Sequence, residues 1–236
     1  MQEISLSEML KCGVHFGHRK SKKHPKMGRF VFDVKQGICI IDLEKTKEKL
    51  EEALKVVKSL ASQNKTILFV GTKRQAVEIV KKYAKDCGMP YMVERWIGGL
   101  FTNFSNVTRL SQKLTRLKRD RDTGNLGKYT KKEQLNFQRE IEKLEKMVGG
   151  IEKMSKLPDA IFVVDMKEEK TAIKEAVRRK VPIIAMADTN VNPDLAQYPI
   201  PSNDDAIKSI NYIVKAVAET IKENKKEIAP VAAPAK

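Results

Sequence analysis

Short, continuously apolar runs alternate along the chain with longer stretches in which apolar residues recur every three or four positions. The short runs are typical of β-strands buried on both faces, and the spaced patterns are typical of amphipathic helices. The predicted strands are residues 30–32, 38–41, 66–70, 91–93, 160–164 and 183–187, and the predicted helices are 43–62, 73–85, 167–180 and 204–223. This alternation indicates βαβ units, so we predict an α/β fold with a doubly wound parallel sheet.

The alternation is interrupted once, between residues 103 and 151. Two helical patterns follow one another there without a strand, separated by a turn with two glycines. Their apolar residues are Val107, Leu110, Leu114 and Leu117, then Phe137, Ile141, Leu144 and Val148. Steps of three and four positions are typical of a coiled-coil seam, so we predict an inserted antiparallel helical hairpin. The alternative is that both helices lie flat on the sheet.

These patterns divide the chain into three predicted parts. Residues 1–102 and 152–226 form a discontinuous α/β domain, and residues 103–151 form the coiled-coil hairpin. Residues 227–236 are rich in alanine and proline and are predicted to be disordered.

The net charge of the chain indicates which classes of binding partner it favours. The 236 residues include 46 Lys+Arg and 30 Asp+Glu, giving a formal net charge of +16. Such a basic surface favours nucleic acid, an acidic protein or an anionic membrane as partner. No apolar run approaches the roughly 20 residues of a spanning helix, and no secretory signal pattern opens the chain. Three widely spaced cysteines indicate neither a zinc ribbon nor a disulfide framework, so we predict a cytoplasmic protein.

Motifs of nucleotide-binding and hydrolytic enzymes are missing from the sequence. It contains no Gly-x-Gly-x-x-Gly, Walker A, Gly-x-Ser-x-Gly or His-Glu-x-x-His pattern. Lys73 and Arg74 follow a predicted strand and open a helix, where free N–H groups and Lys73 can hold one phosphate. A simple βα turn with a basic first helical turn is the alternative. We therefore predict no catalytic residues, and an α/β enzyme acting on a phosphorylated substrate is the rival class.

The most unusual segment is residues 14–29. It holds all three histidines of the chain and six Lys/Arg, with no acidic residue between His15 and Arg29. A polyanion would relieve the self-repulsion of this loop. The predicted RNA-binding residues here are His15, Arg19, Lys20, Lys22, Lys23, His24, Lys26 and Arg29. Phe16 either stacks on a base or anchors the loop, and a merely solvated charged loop is the alternative.

A second candidate segment, residues 94–104, lies between a predicted strand and the hairpin. Trp96 and Phe101 are interpreted as anchors of the hairpin, whereas polar residues beside them can reach a sugar-phosphate backbone. The predicted RNA-binding residues in this region and on the first hairpin helix are Arg95, Thr102, Asn103, Arg109 and Lys113.

Acidic residues cluster at the predicted carboxyl edge of the sheet. Asp188 ends a strand, and Asp204 and Asp205 open the last predicted helix. Together with His18 they form a candidate site for one structural divalent ion, zinc or else magnesium. The alternatives are that Asp204 or Ser202 caps the helix and that the basic loop neutralises the acids through salt bridges. No cofactor is predicted to be required.

Seven ordered motifs resemble the bacterial small-subunit ribosomal protein S2 family. They are residues 13–18 (GVHFGH), 25–27 (PKM), 69–73 (FVGTK), 95–103 (RWIGGLFTN), 157–165 (LPDAIFVVD), 187–190 (ADTN) and 200–207 (IPSNDDAI). Their order and spacing span roughly residues 1–225, and only the ordered set is specific. Lys23 and His24 depart from the pattern, because the family often carries an aromatic residue and Asn before Pro25.

This resemblance implies both a fold and a role. The implied fold is a flavodoxin-like, or Rossmann-like, α/β domain with a protruding coiled coil. The implied role is non-enzymatic: a ribosome-bound structural protein that contacts small-subunit ribosomal RNA between head and body. Neighbouring ribosomal proteins are implied partners, including S1, which the protein helps to dock. A membrane, a small-molecule substrate and a homo-oligomer are not expected. A free RNA-binding regulator is the second rival class.

Overall fold

The centre of the fold is a parallel sheet, seen in a computed structural model that describes residues 4–152 and 154–225. The strands are β1 (Phe16–Arg19), β2 (Val31–Lys35), β3 (Ile38–Ile41), β4 (Ile67–Val70), β5 (Tyr91–Met92), β6 (Ala160–Val163), β7 (Ile183–Ala187) and β8 (Tyr198–Pro201). The helices are α1 (Leu6–Lys11), α2 (Leu43–Ser62), α3 (Val77–Asp86), α4 (Phe104–Asp122), α5 (Lys131–Val148), α6 (Lys170–Arg178) and α7 (Ile207–Asn224).

Five strands form the parallel sheet in the order β5-β4-β6-β7-β8. Every neighbouring pair is parallel. Numbered along the chain, this order is 2-1-3-4-5, which is the flavodoxin-like order of doubly wound sheets. The predicted α/β class with a doubly wound parallel sheet is therefore confirmed.

The sheet is buried on both faces, which explains the continuous apolar runs of its strands. Successive side chains of β4 point to opposite faces. Ile67 and Phe69 join one apolar core with residues of α2, α3 and α7. Leu68 and Val70 join a second core, to which α4, α5 and α6 contribute. The two cores fix the positions of the strand ends, where the candidate site lies.

The last strand was missing from the prediction. β8 contains Pro199 and Pro201, and proline cannot donate a ladder hydrogen bond. The strand is accommodated because it lies at the sheet edge and pairs only with β7 in the described sheet. β1 was also missed, because it lies inside the segment interpreted as a loop. It forms a separate antiparallel sheet with β3 and β2.

Three predicted helices begin later than their patterns suggest. Helix α3 begins at Val77, α6 at Lys170 and α7 at Ile207. Side chains hold the preceding turns outside the helix before α6 and α7. The Asp165 carboxylate accepts the Lys167 and Glu168 N–H groups, and the Asn203 amide oxygen accepts those of Asp205 and Ala206. The prediction that Asp204 or Ser202 caps the last helix is wrong, since its N-cap residue is Ala206.

The two helices predicted between residues 103 and 151 are present as α4 and α5. Ion pairs join them, from Lys113 to Glu140 and from Lys118 to Glu145 at 3.0 Å. Apolar residues of both helices belong to the same core as the second sheet face. They are Val107, Leu114 and Leu117 of α4 and Ile141, Leu144 and Val148 of α5. The division into a coiled-coil insert and a globular domain stays a prediction.

Two further expectations concern the rest of the chain. Cys12, Cys39 and Cys87 are free thiols. Within residues 4–152 and 154–225, no helix is both long and apolar enough to cross a membrane. The predicted disordered tail at 227–236 lies outside the described residues.

Candidate nucleic-acid interface and acidic rim

The basic segment is tied to the carboxyl edge of the parallel sheet through Thr189, which follows β7. The His18 N–H donates to Thr189 Oγ1 at 2.8 Å, and the His24 N–H donates to the Thr189 carbonyl at 2.8 Å. Gly17 lies so close that a Cβ there would be 2.5 Å from Thr189 Cγ2. These contacts with Thr189 hold both ends of the short segment that carries Arg19, Lys20, Lys22 and Lys23.

The cations of this segment fall into two groups. Lys26 and Arg29 are paired with Asp194, at 2.9 and 2.6 Å. The remaining four form no ion pair within the described parts of the chain, and all but the half-buried Lys23 are exposed. We call this group, Arg19, Lys20, Lys22 and Lys23, the basic loop. Its cations are presented outward while the loop is held at its ends.

The two histidines predicted to bind RNA, His15 and His24, have different surroundings. His15 is half-buried, and burial lowers the pKa of its imidazole. Its ring packs against Phe16, with centroids 4.1 Å apart. His24 accepts the Lys26 N–H through Nδ1 at 3.2 Å. Burial therefore disfavours the charged form of the His15 imidazole.

The remaining predicted RNA-binding residues lie at the ends of β4 and β5 and along α4. Arg74, Arg95 and Arg109 are exposed, and no ion pair of theirs involves a described residue. Lys113 is paired with Glu140, and the Thr102 carbonyl accepts a hydrogen bond from Arg179. Asn103 is exposed and accepts the Ser105 hydroxyl. The contacts of all these residues with RNA stay predictions.

Glu175 fixes the segment that carries Arg95 and Asn103. Its carboxylate accepts the Gly99 N–H at 2.8 Å, the Trp96 Nε1–H at 3.2 Å and the Phe101 N–H at 3.1 Å. Partial burial opposes ionisation, but these donors outweigh it and lower the pKa of the carboxyl. Trp96 and Phe101 are buried against one another, which agrees with their interpretation as anchors. Sequence reasoning missed Glu175, because it lies on α6, far along the chain.

Lys73 lies among carboxylates rather than in an open phosphate site. Its amino group is 3.1 Å from Asp165, 2.7 Å from Asp204 and 2.6 Å from Asp205. Burial opposes the charged amine, but these carboxylates outweigh it and raise the pKa of Lys73 above its usual range. We call these carboxylates, together with Asp188 at the same edge of the parallel sheet, the acidic rim. An RNA contact by Lys73, as predicted from the sequence, would require breaking its ion pairs with the acidic rim.

His18 joins three of the rim's polar groups. Its Nδ1 is 3.0 Å from Asp188 Oδ2, and its Nε2 is 3.5 Å from Asp205 Oδ2 and 3.1 Å from Asn190 Nδ2. Interaction with Asp188 raises the pKa of His18 despite partial burial. A protonated imidazole carries one positive charge and would offset one of these two carboxylates, while Lys73 already pairs with Asp205.

The predicted metal ligands are only partly brought together. One ligand atom each from His18, Asp188 and Asp205 lie within 4.8 Å of one another, so these three can converge on an ion. Asp204 lies outside this group, and its Oδ1 contacts Lys73. Burial, with the nearby Asp165 and Asp188 charges, raises the pKa of Asp204 to about 7. The structure thus supports a set of three candidate ligands rather than four.

Comparison with known proteins decides the family. The sequence profile of the family described as "Ribosomal protein S2" matches residues 9–224. The chain belongs to the ribosomal protein S2 family. The match covers both sheets, α4 and α5, and the resemblance seen in the seven sequence motifs is therefore confirmed.

Relatives of the family from several bacteria align along almost the whole chain. The small ribosomal subunit protein uS2 of Campylobacter curvus is 46% identical over 222 residues, covering 94% of this chain and 84% of the relative. That of Helicobacter hepaticus is 45% identical over 224 residues, covering 95% of this chain and 85% of the relative. The family places the chain among small-subunit ribosomal proteins.

Proposed function

We propose that the chain is a structural, non-enzymatic constituent of the small ribosomal subunit that binds ribosomal RNA at the junction of head and body. Its site of action is the bacterial cytoplasm, bound to the ribosome. The observation that carries the RNA-binding proposal is the basic loop, whose four cations are free of intramolecular ion pairs with described residues while its ends are tied to Thr189.

The charges of the basic loop suit phosphate groups rather than a small substrate. Lysine and arginine side chains that meet the nucleic-acid backbone release condensed counterions, which drives binding without reading sequence. Lys26 and Arg29 also lie nearby, but Asp194 already neutralises part of their charge. Affinity should therefore depend mainly on the basic loop, with Arg74, Arg95 and Arg109 as further exposed cations.

Replacing Lys20, Lys22 and Lys23 together by glutamine should weaken binding of small-subunit ribosomal RNA. The slope of log K against log salt should flatten by roughly 0.7–0.9 for each phosphate that the variant no longer neutralises. Filter binding across a salt series measures both quantities.

A matched control replaces three lysines of α3, Lys81, Lys82 and Lys85, by glutamine. It removes the same charge from another surface. Its slope of log K against log salt should therefore stay steeper than that of the basic-loop variant. Equal slopes in the loop variant and the unmodified protein would refute phosphate binding by the basic loop. Equal losses of affinity in both triple variants would show that only net charge matters.

We also propose that the protein helps to dock ribosomal protein S1. A groove of about 460 Å³ between α6 and residues 190–195 supports this proposal. Ile173, Val177 and Leu195 supply apolar surface, and Lys167, Lys170 and Lys174 line the same groove. An amphipathic acidic segment of S1 fits such a surface.

Val177→Glu should weaken the retention of S1 on small subunits, because it places a negative charge in the groove that repels an acidic segment. Unchanged retention of S1 would contradict the assignment of this groove.

His18, Asp188 and Asp205 are proposed to hold one structural divalent ion. Imidazole with carboxylates suits zinc, at about 2.0–2.2 Å per ligand; magnesium takes more oxygen ligands and water. His18 Nδ1 and Asp188 Oδ2 are buried and make no hydrogen bond of good geometry, although they lie 3.0 Å apart. The ion would tie β1 to the sheet edge and neutralise its carboxylates.

Metal analysis of the dialysed protein tests this proposal. One equivalent of metal is expected, with a loss of that metal in His18→Ala and a lower melting temperature in chelator. His24→Ala is the matched control, because His24 is outside the three-residue group. A metal-free protein whose melting temperature is unaffected by chelator would leave imidazole–carboxylate ion pairing as the explanation of the rim.

A further inference from the structure

A cavity of about 560 Å³ lies at the amino edge of the parallel sheet, at the end opposite the acidic rim. Its walls come from the turn before β4, the connection from α3 to β5, the segment after α5 and the residue that follows α7. Small-molecule sites typically have volumes of about 300–1,000 Å³. The lining shares no residue with the basic loop, the acidic rim or the groove proposed for S1. The functions proposed above therefore do not account for this cavity.

Positive charge dominates the lining of the cavity. Glu152 is its one acidic residue, whereas four lysines line it: Lys65, Lys85, Lys156 and Lys225. Glu152 is paired with Lys118 at 3.1 Å, which lies outside the lining. Asp159 pairs with Lys65 at 3.0 Å and lies 3.9 Å from Lys156. Within the described ion pairs, one carboxylate thus serves two of the four lysines, and three positive charges of the lining remain uncompensated.

Lys225 is held in place by neutral groups, so its charge stays available to a ligand. Its ammonium group donates to the Cys87 and Gly88 carbonyl oxygens, each at 3.3 Å. An ammonium group has three N–H donors, which leaves one for a ligand. Lys85 lines the same space, with its amino group 6.0 Å from the centre of the Tyr91 ring. A cation fixed before binding loses less entropy when it meets a phosphate oxygen.

Part of the lining is apolar. Met89, Tyr91 and Met154 contribute to it. Met89 is buried, and the other two side chains are half-buried. Thioether and aromatic groups offer a polarisable surface to the flat face of a base. A ligand that fills this cavity must therefore combine a flat body of low polarity with several negative charges.

We propose that the cavity binds a free nucleoside diphosphate, with its phosphates on Lys85 and Lys225 and its base against Met89, Tyr91 and Met154. Such a ligand carries about three negative charges near neutral pH, because the last ionisation of a terminal phosphate has a pKa near 6. That charge matches the three uncompensated lysines of the lining. The proposal goes beyond the structural role given above and does not depend on RNA binding.

A nucleotide in this cavity would link the end of α5 to the sheet. Gly149 and Gly150 directly follow α5 and line the cavity together with Tyr91 of β5. Gly150 approaches the Tyr91 carbonyl so closely that a Cβ there would overlap it. A ligand that binds only the folded chain stabilises this junction by mass action. We therefore expect the nucleotide to raise the melting temperature of the protein.

Isothermal titration calorimetry of the full chain with ADP tests the proposal. ADP should bind more tightly than AMP, adenosine or inorganic pyrophosphate, because each of these lacks part of the matching charge or the base. Lys85→Gln with Lys225→Gln should weaken ADP binding by roughly 10- to 150-fold for each charged hydrogen bond that is lost. The same variant should keep its circular-dichroism spectrum and lose the rise in melting temperature that ADP causes.

Two control variants should bind ADP as the unmodified protein does. Lys82→Gln with Lys222→Gln removes two exposed lysines of α3 and α7 that do not line the cavity. The basic-loop variant, in which Lys20, Lys22 and Lys23 are glutamine, leaves the cavity intact. It separates a failure of this site from a failure of RNA binding.

Four outcomes would overturn the proposal. Absence of ADP binding to the unmodified protein would refute the site outright. Equal affinities for ADP and pyrophosphate would reduce it to a phosphate site without a place for the base. Equal losses in the cavity variant and the Lys82/Lys222 control would show that only net charge matters. Displacement of ADP by an unstructured 5′-phosphorylated oligoribonucleotide would assign the cavity to an RNA end instead of a free nucleotide.

Discussion

Replacing Lys73 by methionine should lower the free energy of unfolding by about 3–5 kcal/mol, the usual cost of removing one partner from a buried ion pair. Lys73 is 14% exposed and faces Asp165, Asp204 and Asp205. Without the ammonium group these carboxylates repel one another in a site with little water. Urea unfolding followed by circular dichroism measures the change.

Two variants separate charge balance from simple loss of a side chain. Lys55→Met removes an exposed lysine of α2 and should change stability by less than about 0.5 kcal/mol. Adding Asp204→Asn to Lys73→Met removes one of the uncompensated carboxylates and should restore part of the stability. If Lys73→Met is as stable as the unmodified protein, Lys73 is not the counterion that holds this rim together.

Gly150→Ala should be the other strongly destabilising change, at about 3 kcal/mol. A Cβ at Gly150 would overlap the Tyr91 carbonyl oxygen and lie 2.8 Å from Tyr91 Cδ2. The carbonyl belongs to the backbone of β5 and cannot rotate away. The clash would separate the end of α5 from the sheet edge. Thermal unfolding and the fluorescence of the single Trp96 report on that junction.

Gly149→Ala is the matched control, one residue away. Its nearest contact would be Glu145 Cγ at 3.3 Å, on a flexible side chain, and the Gly149 backbone is already helical. Stability should be unchanged or slightly higher, because alanine favours helix over glycine. Equal effects of the two substitutions would contradict the close approach of Gly150 to Tyr91.

The sequence predicted correctly the helices and strands whose apolar patterns lie within a single segment of the chain. Leu43–Ser62 and Ile183–Ala187 match the predicted helix and strand, because continuous or spaced apolar residues define each without reference to the rest of the chain. β8 was missed because its prolines are tolerated only at an edge, and edge position is a property of the assembled sheet. β1 was missed because glycine, histidine and arginine in its sequence favour a loop interpretation.

The sequence indicated which charged residues gather at the edge of the sheet, but not which partners their side chains contact. The acidic residues after β7 and before α7 meet at one edge, as the parallel topology requires. Lys73 was interpreted as a phosphate ligand, yet its side chain reaches Asp204, 131 positions away. Glu175 gave no motif at all. Its position depends on how α6 packs, which a linear pattern does not contain.

We propose that RNA phosphates provide most of the binding that holds the chain on the small ribosomal subunit. The most direct measurement is sedimentation of the purified chain with small subunits that lack it, over a salt series. The chain should pellet with subunits at about 0.1 M salt and be released near 1 M salt, because counterion release weakens phosphate binding steeply. A chain that stays in the supernatant at low salt, or pellets equally at both, would contradict the account.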